Sequence, residues 1–182
     1  MSVAARLEAV TKRFGNTLAL DTVSFEVSGP GVTGFLGLNG AGKTTAMKVL
    51  MGFLAPDSGR IELLGGERSE DRQLSLAARI GYLPQETGFL NWMTGREFLS
   101  FCAELFPPRE SVKDTVESLL ERLSLADAAN RRIGGYSGGM KQRLGIATAL
   151  VNEPELLLLD EPVSSRSEEH TSELPSRPSI SY

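Results

Sequence analysis

The chain has a single cysteine, Cys102, a single histidine, His170, and no apolar run approaching the roughly 20 residues that cross a bilayer. One thiol builds no disulfide framework, so the cysteine points to a reducing compartment and, in its apolar segment, to a core role. The start, Met1-Ser2-Val3-Ala4-Ala5-Arg6, lacks the apolar stretch of a secretory signal. These gaps predict a soluble, cytoplasmic chain whose access to any membrane comes through a partner. A dense basic block is also missing and the net charge is −4, which argues against a nucleic-acid partner. What remains is ordinary globular stock: 182 residues, 41% hydrophobic and 23% charged, enough for one real core.

The most informative segment that is present is Gly37-Leu38-Asn39-Gly40-Ala41-Gly42-Lys43-Thr44-Thr45. It satisfies G-x-x-x-x-G-K-[ST] at every fixed position, a pattern that chance supplies in roughly one per cent of chains this long. Its glycines let the backbone curl so that successive N–H groups point inward at an anion. Lys43 is placed to reach the β- and γ-phosphates, and the Thr44 hydroxyl to ligate Mg²⁺. The helix beginning at Lys43 presents its positive end to the same anion. The apolar residues 32–36 predict a short buried strand feeding the loop. Together these features predict a nucleoside triphosphate site.

Periodicity places the other elements. Residues 3–10 and 18–27 read as strands around an Arg13-Phe14-Gly15-Asn16 turn. The helix after the phosphate loop should stop at Gly52. Pro56-Asp57-Ser58-Gly59 reads as a turn before a strand at 60–64, and residues 79–83 as a core strand ending at Pro84-Gln85. Thr94-Gly95-Arg96-Glu97 is a capping box opening a helix to about Phe106. Pro107-Pro108 breaks it, and Ser111 caps a second helix with Val112, Val116, Leu119, Leu120 and Leu123 on one face. A third helix is expected over 139–151. The unbroken run Leu156-Leu157-Leu158-Leu159 predicts a parallel strand covered on both faces. The expected architecture is therefore an α/β core with a helical insertion over about 88–136.

Two further constellations carry chemistry. Asp160-Glu161 places two carboxylates at the C-terminal end of a buried strand, the end that faces the ligand crevice in open α/β sheets. Asp160 suits a Mg²⁺ shell and Glu161 suits orienting an attacking water. Tyr136-Ser137-Gly138-Gly139-Met140-Lys141-Gln142-Arg143 forms a second anion-ready helix start, intelligible if it serves another subunit's nucleotide.

In this order, Gly37 to Thr45, Gln85, Ser137-Gly138-Gly139 and Asp160-Glu161 resemble the nucleotide-binding domain of ATP-binding cassette (ABC) transporters over about residues 3–164. Phe35-Leu36-Gly37 and Met140-Lys141-Gln142-Arg143 are most similar to the branch serving ABC-2-type exporters. The resemblance implies a P-loop NTPase core with an N-terminal antiparallel β subdomain, binding ATP and Mg²⁺. It implies that Phe14 stacks on adenine, and that Gly37, Asn39, Gly40, Ala41, Gly42, Lys43, Thr44 and Thr45 hold the nucleotide. Thr44, Gln85 and Asp160 would attend the metal, with Glu161, Lys43 and Gln85 catalytic. It further implies a homo- or heterodimer in which Ser137-Gly138-Gly139 closes the partner's nucleotide site. A transmembrane permease would be the other partner, with the chain peripheral on the cytoplasmic face. Leu38 stands where the family often has proline, and Met140 where it often has glutamine. Rival readings are a soluble ABC ATPase outside transport, and a truncated fragment that binds nucleotide without turnover.

The resemblance ends after Glu161-Pro162-Val163-Ser164, where a D-loop aspartate, another core strand and a switch histidine would follow. His170, nine positions after Glu161, is a poor match to that histidine. Residues 166–174, Arg-Ser-Glu-Glu-His-Thr-Ser-Glu-Leu, match the translation of a widely used sequencing-library adapter without a mismatch, the rival reading being a genuine disordered tail. The expectation is an incomplete cassette over 1–165 followed by an artefactual tail at 166–182, which resequencing past the Ser164 codon checks.

Overall fold

The computed structural model describes residues 3–67, 73–105 and 111–160. Strands β1 (Val3–Phe14) and β2 (Thr17–Ser28) form an antiparallel hairpin. Both strands reach further than sequence patterning predicts, because Phe14 pairs directly with Thr17 across a two-residue Gly15-Asn16 turn. Arg13 and Phe14 therefore belong to the strand and not to the turn. Strand β3 (Ser58–Leu63) adds antiparallel to β1, and the short β4 (Gly66–Glu67) follows, giving the order β2-β1-β3-β4. Asp57 ties this sheet to the hairpin end by accepting from the Arg13 N–H at 2.6 Å and from Lys12 Nζ at 3.1 Å.

Helix α1 (Lys43–Met51) lies on that sheet and stops at Gly52, whose left-handed backbone (φ 82°) returns its N–H to the Lys48 and Val49 carbonyls. Ala46, Val49 and Leu50 of the helix share a core with Ala5, Leu7, Val10, Leu20, Ile61 and Leu63 of the sheet. After a short helix α2 (Gln73–Ala77), strand β5 (Ile80–Leu83) pairs in parallel with β6 (Leu156–Leu159). The ion pair between Arg79 and Glu155, bidentate at 2.7 and 2.8 Å, clamps the start of this pair.

Between β5 and β6 run α3 (Gly95–Leu105), α4 (Val112–Arg122) and α5 (Gly138–Leu150). The capping box at α3 is reciprocal: the Thr94 N–H donates to Glu97 and the Glu97 N–H to Thr94 Oγ1. Hydrogen bonds from the Thr94 N–H and then the Thr94 hydroxyl hold the Glu97 carboxyl below its ordinary range. Ser111 Oγ accepts from the Asp114 N–H at 3.1 Å and caps α4. The three helices bury a second core of Phe98, Leu99, Val116, Leu119, Leu120, Leu144 and neighbours. Cys102 packs against it, and burial pushes the thiol up to about 11, which keeps it protonated near neutral pH.

Helix α5 joins the two cores. A Cβ on Gly81 would collide with the Ala149 carbonyl, and one on Gly145 would lie 2.7 Å from Leu83 Cδ1. Both positions are glycine because β5 and α5 approach too closely there to admit a Cβ.

Two expectations fail. Residues 32–36 form no strand: Val32 is 103% exposed and Leu36 94%. A strand needs a ladder partner, and among the described residues none pairs with this run. β6 is parallel as predicted, but its four leucines are half-buried instead of covered on both faces. β5 alone is hydrogen-bonded to it among the described residues. No described helix is long and apolar enough to cross a membrane. Glu161, Pro162, Val163 and Ser164, His170 and the expected tail lie outside the described residues.

Candidate functional site

The fold brings together residues 116 positions apart in sequence. The Thr44 hydroxyl, in the first turn of α1, donates to Asp160 Oδ1 at 3.1 Å just past the end of β6. Asp160 is 1% exposed, held by its own N–H donating to the Leu83 carbonyl at 2.9 Å. Its second oxygen, Oδ2, is buried and has no hydrogen-bond partner. A buried carboxylate with one oxygen unsatisfied is costly unless a cation or donor meets it. One hydroxyl and one carboxylate beside an anion-binding loop form the oxygen set that suits Mg²⁺, which completes its shell with water and phosphate. Among the described residues no cluster of three or more His, Cys, Asp or Glu side chains competes as a metal site.

The loop is exposed over 37–41, half-buried at Gly42, and leads into α1. Gly42 takes a left-handed conformation (φ 85°), and a Cβ there would stand 2.5 Å from the Ala19 carbonyl and 3.0 Å from Leu20 Cδ2. Strand β2 is thus the wall against which the loop turns, a neighbour that no local spacing announced. Gly40 also has positive φ (81°), and the Ala41 N–H donates to the Leu38 carbonyl at 3.1 Å. Lys43 Nζ curls back over the loop, donating to the carbonyls of Gly37 and Leu38 at 2.9 and 3.0 Å. Thr45 follows on α1, half-buried, and Asn39 is exposed at the loop's turn. Replacing Gly42 by alanine will destabilise the fold by about 1–3 kcal/mol and weaken nucleotide binding at least about tenfold. Thermal melting and nucleotide titration check both, and an unstrained, full-affinity variant would refute the geometry.

The remaining candidates occupy three other places. Phe14 stands at the hairpin tip, 47% exposed, with Lys12 Nζ 5.8 Å from its ring centre. Gln85 is exposed two residues beyond β5, on the same edge as Asp160 at the end of β6. Ser137 caps α5, its Oγ accepting from the Met140 N–H at 3.3 Å, and Gly138 and Gly139 are exposed with open space around both. Tyr136 anchors this cap by donating its hydroxyl to the Ala128 carbonyl at 2.8 Å.

Comparison with known proteins identifies the family. The family model described as ABC transporter matches residues 20–164. The chain belongs to the ABC transporter family. An ABC transporter ATP-binding protein of Bacillus subtilis strain 168, YxlF, is 47% identical over 160 residues, covering 87% of this chain and 52% of its own. The bacitracin transport ATP-binding protein of Bacillus licheniformis is 37% identical, covering 90% of this chain and 53% of its own. A Nod factor export ATP-binding protein of a Rhizobium strain is 40% identical over 89% of this chain and 53% of its own. The chain therefore spans about half the length of the curated relatives it matches. Among solved structures, an ATP-binding cassette of an ABC transporter in its ADP conformation superimposes with a TM-score of 0.75 at 31% identity. That match covers 91% of this chain and 71% of that one. The fold is that of an ATP-binding cassette.

Proposed function

We propose that the full protein is the ATP-binding and ATP-hydrolysing subunit of an ABC exporter. The observation that carries this reading is the contact between Thr44 Oγ1 and the buried Asp160, with Asp160 Oδ2 left open beside the phosphate loop. Relatives named for bacitracin transport and Nod factor export support the exporter assignment. In this reading the loop amides and Lys43 bind the β- and γ-phosphates, and Phe14 stacks on adenine. Thr44 and Asp160 hold Mg²⁺, with Gln85 at its edge. When bound, Mg²⁺ supplies charge neutralisation of the phosphates. Glu161, next along the chain from Asp160, orients the water for in-line attack. The exposed Ser137-Gly138-Gly139 start of α5 offers its N–H groups and dipole to the nucleotide of a second cassette.

The same reading assigns a transmembrane permease and a second cassette as partners, on the cytoplasmic face. Residues 1–165 form the cassette, with the helical segment at 88–136 inside it. Titrating ATP into the full-length protein tests the assignment. Lys43→Ala should weaken ATP affinity about tenfold or more, the cost of a lost charge-assisted contact. Equal affinities for the two proteins would contradict it.

A further inference from the structure

Tyr82 and Asp160 leave the same face of the β5–β6 pair. The register sets Tyr82 opposite Leu158, and alternation along a strand returns residue 160 to the face of residue 158. The Asp160 N–H bonded to the Leu83 carbonyl carries the ladder that far. Helix α1 covers this face. Thr44 at its start reaches Asp160, and Phe53 just beyond its end lies 5.7 Å from the Tyr82 ring. Leu156 and Leu158 meet the core that holds Ala46, Val49 and Leu50 of the same helix. The opposite face belongs to α5, where Leu83 lies against Gly145.

Within that layer the Tyr82 hydroxyl, like Asp160 Oδ2, is buried with no hydrogen-bond partner. Phenylalanine would fill the same space without stranding a donor. Burial raises the phenol above its ordinary range and the Asp160 charge adds to this, so the hydroxyl stays protonated and able to donate. A donor and a carboxylate oxygen on one face, each short of a partner, are the polar pair that a bridging water satisfies.

We propose that Tyr82 is a positioning residue of the nucleotide site, its hydroxyl bound through a water to Asp160 Oδ2 and fixing the carboxylate that Thr44 holds from the other side. This rests on the Mg²⁺–nucleotide reading of the site given above. A carboxylate oxygen has capacity for both the water and a cation. Loosening the carboxylate would then weaken metal-dependent binding while sparing contacts that need no metal.

The test is Tyr82→Phe in the full-length protein, a change that keeps the ring against Phe53. ATP binding is titrated in EDTA and across Mg²⁺ concentrations, with Asp160→Asn as the reference. The expected result is unchanged affinity in EDTA and an unchanged or higher melting temperature. The Mg²⁺ concentration for half-maximal ATP binding should rise about three- to tenfold. A shift with Asp160→Asn but none with Tyr82→Phe overturns the role of Tyr82 and leaves the metal site standing. Equal loss with and without Mg²⁺ in Tyr82→Phe means a purely structural tyrosine and also overturns it. No Mg²⁺ dependence in the unmodified protein overturns the site reading, and the Tyr82 role with it.

Discussion

Replacing Glu161 by glutamine in the full-length protein will lower ATP turnover about a hundredfold or more, while ATP affinity stays within about twofold. A positioned general base contributes roughly 10²–10⁴ in rate, and glutamine keeps the shape of the side chain but cannot accept the proton. Position matters as much as chemistry. Asp160, just past the parallel strand, has its carboxylate at Thr44, and Glu161 is the next residue in the sequence. In the proposed site, binding is carried by the loop amides, Lys43 and Thr44, none of which this change alters. Steady-state phosphate release measured beside nucleotide titration separates the two effects. Unchanged hydrolysis would remove Glu161 from the role.

Asp160→Asn should separate function from stability in the opposite sense to most core substitutions. Its carboxylate is 1% exposed, and keeping a charge that far from bulk water costs the fold free energy. The amide is neutral, has nearly the same volume, and its carbonyl still accepts from Thr44 Oγ1. The melting temperature of the nucleotide-free protein should therefore hold or rise. Turnover should fall about a hundredfold, the equivalent of ~2.7 kcal/mol of lost charge stabilisation in the metal site. A residue kept only for packing would give the reverse pattern, with melting lowered and turnover following the folded fraction.

Local chemistry was readable from the chain wherever it is set by near neighbours. The Thr94/Glu97 capping box, the Ser111 and Ser137 caps and the Gly52 stop all form where their side chains or backbone freedom require. The phosphate-loop and strand-end patterns marked Thr44 and Asp160 separately for a Mg²⁺ shell, and their 3.1 Å contact is what the fold adds. Strand formation at 32–36 was misjudged because an apolar run records an appetite for burial and not the presence of a hydrogen-bonding neighbour. The half-burial of β6 has the same origin, since continuous leucines promise two covered faces only in a wider sheet. Contacts set by tertiary approach had no local signal at all. Ala19 against Gly42 and Phe53 beside Tyr82 follow from how the two ends of α1 meet β2 and β5, and spacing cannot encode that.

Thr44 and Asp160 are proposed to make one metal-dependent nucleotide site. Titrating ATP into the unmodified protein and Asp160→Asn, each in Mg²⁺ and in EDTA, tests it most directly. Mg²⁺ should tighten binding to the unmodified protein about tenfold or more, and Asp160→Asn should erase most of that gain. The same Mg²⁺ enhancement in both proteins would contradict it.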